Sequence, residues 1–155
     1  MKRIAALFYF CLGALAGCSP VEQSPGAVKP AVEFLTAPRS QPLPFSDAVR
    51  VGDLLFLSGQ IGVDDSLNVV PGGITAETRQ VMDRIGAVLE RSGSSFDHVV
   101  KCTVMLADIS EWQAMNEVYV TYFSEDRMPA RSALGTNGLA LGARVEIECI
   151  AAVGP

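Results

Sequence analysis

Ligands for a metal ion are scarce in this chain: one histidine, His98, and four cysteines with no CxxC spacing. A zinc centre draws on clustered Cys and His side chains, so none is supported here, and no organic cofactor is called for either. The same shortage bears on the serines. With one histidine in the chain, neither Ser58 nor Ser132 has an evident base to make it a nucleophile. Positive charge is also thin: 12 Lys and Arg stand against 17 Asp and Glu, for a net charge of −5 and an isoelectric point near 4.8. The basic residues are scattered, whereas neutralising a phosphate backbone takes a clustered basic surface, so nucleic acid is not an expected partner. What the 155 residues do hold is 49% apolar side chains and only 19% charge, the balance of one globular domain.

Part of that apolar excess belongs to the N-terminus rather than to a core. Met1-Lys2-Arg3 is a short positive head, Ile4 to Leu15 an apolar stretch too short to span a bilayer as a mature helix, and Gly17-Cys18 a small-residue exit. Residues 1–17 are therefore expected to be a secretory signal peptide. Leu15-Ala16-Gly17-Cys18 resembles a bacterial lipobox, which implies cleavage before Cys18 and acylation of that cysteine; an ordinary signal beside a chance cysteine is the alternative. Several acyl chains anchor a protein stably, since each buried methylene contributes about 0.8 kcal/mol. The expectation is a protein held outside the cytoplasm by its lipid alone, and Ser19 after the cysteine favours the outer membrane of a two-membrane cell. Residues 18–30, punctuated by Pro20, Pro25 and Pro30, read as a flexible tether. The domain runs from 31 to 155.

Within it, residues 32–35, 48–51 and 54–58 read as strands, the last two joined by a tight Gly52-Asp53 turn. From Ile74 the period changes: Ile74, Thr78, Val81, Met82, Ile85, Val88 and Leu89 fall on one helical face, and Ser92-Gly93 closes the helix. A strand follows over 99–107. A second helix starts from a cap at Ser110 and carries Trp112, Met115, Val118, Tyr119, Tyr122 and Phe123, with Pro129 beyond its end. Two more strands complete the chain. This order predicts an α+β domain, one sheet with both helices on a single face. The strands around Leu54 and Val99 are apolar on both faces, so the face without helices needs a cover, most economically a second copy of the chain. Cys102 and Cys149 alternate with apolar neighbours on strands and are expected as two free, buried thiols; an oxidising compartment would let them pair if their geometry permits.

The most informative charges are Arg131 and Glu146, on two short segments separated by turn chemistry at Gly135-Thr136-Asn137-Gly138 and Gly142. Period two puts Glu146 on the helix-free face, where a buried carboxylate needs a cation or a hydrogen bond. If the two meet, the planar guanidinium suits a carboxylate ligand, and the glutamate can polarise a water. A structural ion pair between neighbouring strands is the plainer reading.

Pro129-Ala130-Arg131-Ser132-Ala133-Leu134 and the downstream Val145-Glu146-Ile147-Glu148-Cys149-Ile150-Ala151 resemble the C-terminal signature of the RidA/YjgF family of enamine and imine deaminases. Val51 through Ile61, Val99 through Leu106 and Asn116 through Phe123 are similar to further blocks in the family's order. The likeness spans about 32–153. It implies a chorismate-mutase-like (RidA-like) subunit with one mixed β-sheet and two helices on one face, forming a homotrimer with ligand pockets at subunit boundaries. It implies hydrolysis of 2-aminoacrylate or 2-iminopropanoate-like compounds to 2-oxo acids and ammonia, with Arg131 holding the substrate carboxylate and Glu146 handling the water. Phe45, Gly59, Asn116, Tyr119 and Ala133 match pocket positions. Phe45 stands where the deaminases commonly have tyrosine, and Ala133 replaces a cysteine usual in that branch. Gly59 read alone is equally a turn, Asn116 a surface residue of a helix, and Tyr119 core. Some family members have been called ribonucleases, which nothing basic here supports. Imines arise chiefly in the cytosol, so a second reading stays open for an exported protein: a non-catalytic module that binds small carboxylates.

Overall fold

A computed structural model describes residues 29–38 and 42–153. The expected signal peptide at 1–17, lipidated Cys18 and all but the end of the 18–30 tether lie outside the described residues.

The first half of the domain is a meander of β1 (Val32–Leu35), β2 (Ala48–Val51) and β3 (Leu54–Leu57), each antiparallel to the next. The β2–β3 turn relies on Gly52, whose φ of 59° lies in the left-handed region that a side chain disfavours. A two-residue strand, β4 (Gln60–Ile61), follows; two residues are too few to leave a periodic trace in sequence. Helix α1 (Gly73–Arg91) then buries Ile74, Thr78, Val81, Met82, Ile85, Val88 and Leu89, the expected face, together with Glu77. After β5 (Val99–Leu106) comes α2 (Trp112–Tyr119), which passes into a 3-10 turn at Val120–Tyr122. The expected cap at Ser110 is corrected to Asp108: its carboxylate accepts from the Ser110 N–H at 2.9 Å and starts a 3-10 turn ahead of the helix. β6 (Ala130–Gly135) and β7 (Val145–Ala152) end the domain.

The sheet order is β1-β2-β3-β7-β5-β6, with β4 paired to β7. Parallel neighbours need a crossover, and α2 supplies it between β5 and β6, the one parallel pair among the described residues; β7 then returns on the other side of β5. Hence β6 and β7, consecutive in sequence, are not neighbours. Both helices pack on one face, where Leu55, Cys102, Val104, Leu106, Val145, Ile147 and Ala151 join α1 and α2 in a single core. Full burial of each large aliphatic group there contributes about 1.5–3 kcal/mol. The opposite face carries exposed Val32, Phe34, Leu54, Phe56 and Leu134, the apolar helix-free face that the strand pattern predicts.

The expected pair of free thiols is corrected by a disulfide. Cys102 and Cys149 stand directly opposite on β5 and β7 with Cα atoms 4.1 Å apart, and their sulfurs are bonded. Antiparallel register aims both side chains into the same layer of the core, a fact that 47 residues of sequence separation conceal.

Candidate functional site

Glu146 is placed by backbone. It pairs with Ile61 of β4, and its carboxylate lies against the main chain of Gly59: a Cβ at that position would land on Oε1. Glycine at 59 is thus a requirement of close approach rather than of a turn. Ser58 ties this end of β3 to the loop carrying Phe45. Its hydroxyl donates to the Ser46 carbonyl at 2.7 Å and its N–H to the Asp47 carbonyl at 3.0 Å. Phe45, half exposed, forms one wall of an open cleft of about 770 Å³ with Phe34, Leu43, Val49 and Ser58. Burial pushes the Glu146 carboxyl above its ordinary pKa, and the like charge of Glu148, two residues along the same face, pushes it further. Such a group is a better base than a solvated carboxylate.

Arg131 is placed by rings. Its register partner on β5 is Cys102, so it projects to the helix face of the edge strand β6. There its guanidinium carbon sits 4.6 Å from the centroid of Tyr119 and 5.6 Å from that of Trp112. Asn116 falls between these two rings in helical spacing, four residues after Trp112 and three before Tyr119. Ala133 follows two residues later on the same face of β6. Arg131 Nη1 and the Tyr119 hydroxyl are both shut away from solvent with no hydrogen-bond partner among the described residues. Burial pushes the Tyr119 phenol up to about 12, which keeps its O–H as a donor at neutral pH. Two buried donors on stacked side chains, one of them cationic, are thus left without an acceptor, and a carboxylate is the group that a guanidinium accommodates best.

Each cluster is coherent, but within one chain they do not meet. Arg131 lies on the helix face of β6, Glu146 on the bare face of β7, and β5 runs between them. The expectation that the two charges converge across a turn is corrected, and so is the plainer ion-pair reading: the described ion pairs are Arg91–Asp47 and Arg144–Glu111. Two causes act together: the side chains leave opposite faces of the sheet, and the crossover puts β5 between two consecutive strands. Gly59 and Glu146 thus make up one half of the constellation expected from the sequence, with the Phe45 cleft joined to it through Ser58; Arg131 and Tyr119 make up the other half, with Asn116 and Ala133 in matching helix and strand spacing. Trp112 was missed as a member of the second half, although its spacing to Asn116 and Tyr119 signals it. Among the described residues no three His, Cys, Asp or Glu side chains converge as metal ligands.

A family model described as Endoribonuclease L-PSP matches residues 36–153. A protein named 2-iminobutanoate/2-iminopropanoate deaminase from Mus musculus is 44% identical over 113 residues, covering 72% of this chain and 83% of its own. The protein of the same name from Homo sapiens is 42% identical, covering 72% and 82%. Among solved structures, YyfA of the Rid protein family from Yersinia pestis superposes with a TM-score of 0.74 at 36% identity, over 79% of this chain and 100% of that one. RidA from an Antarctic Psychrobacter gives 0.69 at 36% identity, over 77% and 94%. An α+β domain with both helices on one face of a mixed sheet is the fold that these structures share with it. The chain belongs to the Endoribonuclease L-PSP family, which is the RidA/YjgF family.

Proposed function

We propose that this protein hydrolyses reactive enamines and imines of amino-acid origin to 2-oxo acids and ammonia, at a site that two copies of the chain complete together. The observation that carries the reading is the buried, unpartnered nitrogen of Arg131 held over two aromatic rings. A fixed cationic fork recognises the carboxylate of a 2-imino acid, and the Tyr119 hydroxyl donates beside it. The names of the relatives from mouse and man support imines as the substrate class. The enamine tautomerises to the imine. Glu146 of the neighbouring copy takes a proton from water as the oxygen bonds to the carbon of the protonated imine, giving a carbinolamine. Return of that proton to nitrogen makes ammonia the leaving group, and as the C–N bond breaks the hydroxyl gives its proton to Glu146 and becomes the carbonyl of the 2-oxo acid. Phe45 in place of tyrosine keeps an aromatic wall on the cleft and removes a hydroxyl from it.

The split of the two niches and the exposed apolar face of the sheet support an assembly of copies, and the family resemblance supports a homotrimer. Export and a lipid anchor at Cys18 are part of the same proposal. The signal-like residues 1–17 support them, and the Cys102–Cys149 disulfide fits an oxidising compartment.

Freshly generated 2-iminopropanoate, offered to the purified full-length protein in detergent, tests the activity. The expected result is faster formation of pyruvate and ammonia than in buffer. A wild-type protein that binds carboxylates and turns nothing over would replace the deaminase by a binding module. Cys18→Ala is expected to move the protein from the membrane to the soluble fraction; unchanged membrane association would contradict lipidation.

A further inference from the structure

One buried ionisable side chain takes no part in the reaction described above. Glu77, on α1, is 2% exposed in the core next to β4 and β7. A carboxylate rarely occupies such a position without a specific partner. Its partner is a main-chain group: Oε2 accepts the N–H of Arg144 at 2.7 Å. Arg144 immediately precedes β7, and its carbonyl accepts from the Ala107 N–H at 2.9 Å, so both backbone groups are held. Its guanidinium forks onto Glu111, with Nη2 and Nε at 2.7 and 3.0 Å from Oε1, a second anchor to the start of the α2 segment. The other side of Glu77 touches β4. Gly62, next after Ile61, packs so closely that a Cβ there would stand 2.7 Å from the Glu77 Cα. The strands that carry the glutamate niche, β4 with Ile61 and β7 with Glu146, therefore both abut one residue of α1.

We infer that Glu77 is a positioning residue for Glu146. By accepting the Arg144 N–H two residues upstream, it fixes where β7 enters the sheet, and with it the seat of the Glu146 carboxylate against Gly59. This inference rests on Glu146 as the base of the proposed reaction, but its geometric content concerns Glu146 alone. What matters in this account is the reach of the side chain to the Arg144 N–H, not its charge. Glutamine preserves that reach with its carbonyl oxygen; aspartate keeps the charge and falls one methylene short.

Full-length E77Q and E77D separate the two. In E77Q, kcat and KM for 2-iminopropanoate are expected within about threefold of wild type. In E77D, kcat is expected to fall at least about tenfold with KM changed much less, because the base moves while the arginine niche stays. The second readout needs no turnover: the carboxyl-carbon chemical shift of Glu146, followed against pH, is expected to titrate at lower pH in E77D than in wild type or E77Q, since a displaced carboxylate regains water. A folded E77D with unaltered kcat and an unaltered Glu146 titration would overturn the inference. So would E77Q impaired as severely as E77D, which would make the charge the essential feature. If wild type is inactive, the deaminase reading fails while the Glu146 titration still decides the role of Glu77.

Discussion

The two niches are built by opposite means. Glu146 is seated by main chain: a β4 partner, the bare backbone of Gly59, and an Arg144 N–H pinned from α1. Arg131 is seated by side chains, over two rings of α2 at the free edge of the sheet, with its buried Nη1 unsatisfied. A base that holds a water, the role proposed for Glu146, needs rigid placement, and backbone pairing supplies it. A cation that takes up and releases a ligand, the role proposed for Arg131, is better held by polarisable surfaces that leave its hydrogen bonds free. The difference teaches that one niche is satisfied within its own chain, whereas the other keeps buried donors with no partner among the described residues.

The largest expected effects remove one niche at a time. E146Q is expected to lower kcat by about 10²–10⁴-fold, the usual range for a lost general base, with KM nearly unchanged. R131A is expected to lose about 2–5 kcal/mol of transition-state stabilisation, with KM sharing the damage. Steady-state kinetics on imines of known concentration distinguish the two patterns. Equal kcat and KM signatures for both variants would erase the functional division between the niches.

Next in size is the disulfide that joins β5 to β7. C102S with C149S is expected to lower unfolding free energy by about 2–4 kcal/mol in denaturant titrations, and wild type in reductant should match it. No change would show that the bond is not formed in the purified protein. W112A sharpens the ring argument more gently: loss of one cation–π contact is expected to weaken binding by about 0.5–2 kcal/mol, read as a raised KM with kcat preserved. The smallest effect is a shift of pH profile. Burial and Glu148 hold the Glu146 pKa above the ordinary carboxylate value, and a base works only when ionised, so the rate should fall with acidification through that raised pKa. E148Q removes a like charge and should move the acid limb to lower pH; an unmoved limb would assign it to another group.

Much of this was legible in the sequence because it follows from local pattern. The buried face of α1 is the one that its three- and four-residue spacing outlines, and the β2–β3 hairpin follows from two apolar runs around Gly52. The bare apolar face follows from strands such as Leu54-Leu55-Phe56-Leu57, which alternate nothing polar. What sequence concealed was non-local. No feature of residues 135–144 says that β7 will lie beyond β5 rather than beside β6, and that choice, with the opposite faces from which the two side chains leave, separates Arg131 from Glu146. The same register brings Cys102 opposite Cys149, which their spacing could not reveal. Gly59 read as either a turn or a pocket residue because close approach to a carboxylate is a property of two chain segments. Trp112 was legible and misassigned: its place on the helix stripe marked it as core, and only Arg131 lying over its ring makes it part of a site.

Mixing the two dead variants tests the shared site most directly. R131A subunits keep an intact glutamate niche and E146Q subunits an intact arginine niche, each inactive alone. If adjoining copies complete the site, unfolding and co-refolding them in equal amounts should restore about a quarter of wild-type activity, the chance that a boundary in a ring pairs the two intact halves. Mixed assemblies that form and stay as inactive as their parents would contradict it.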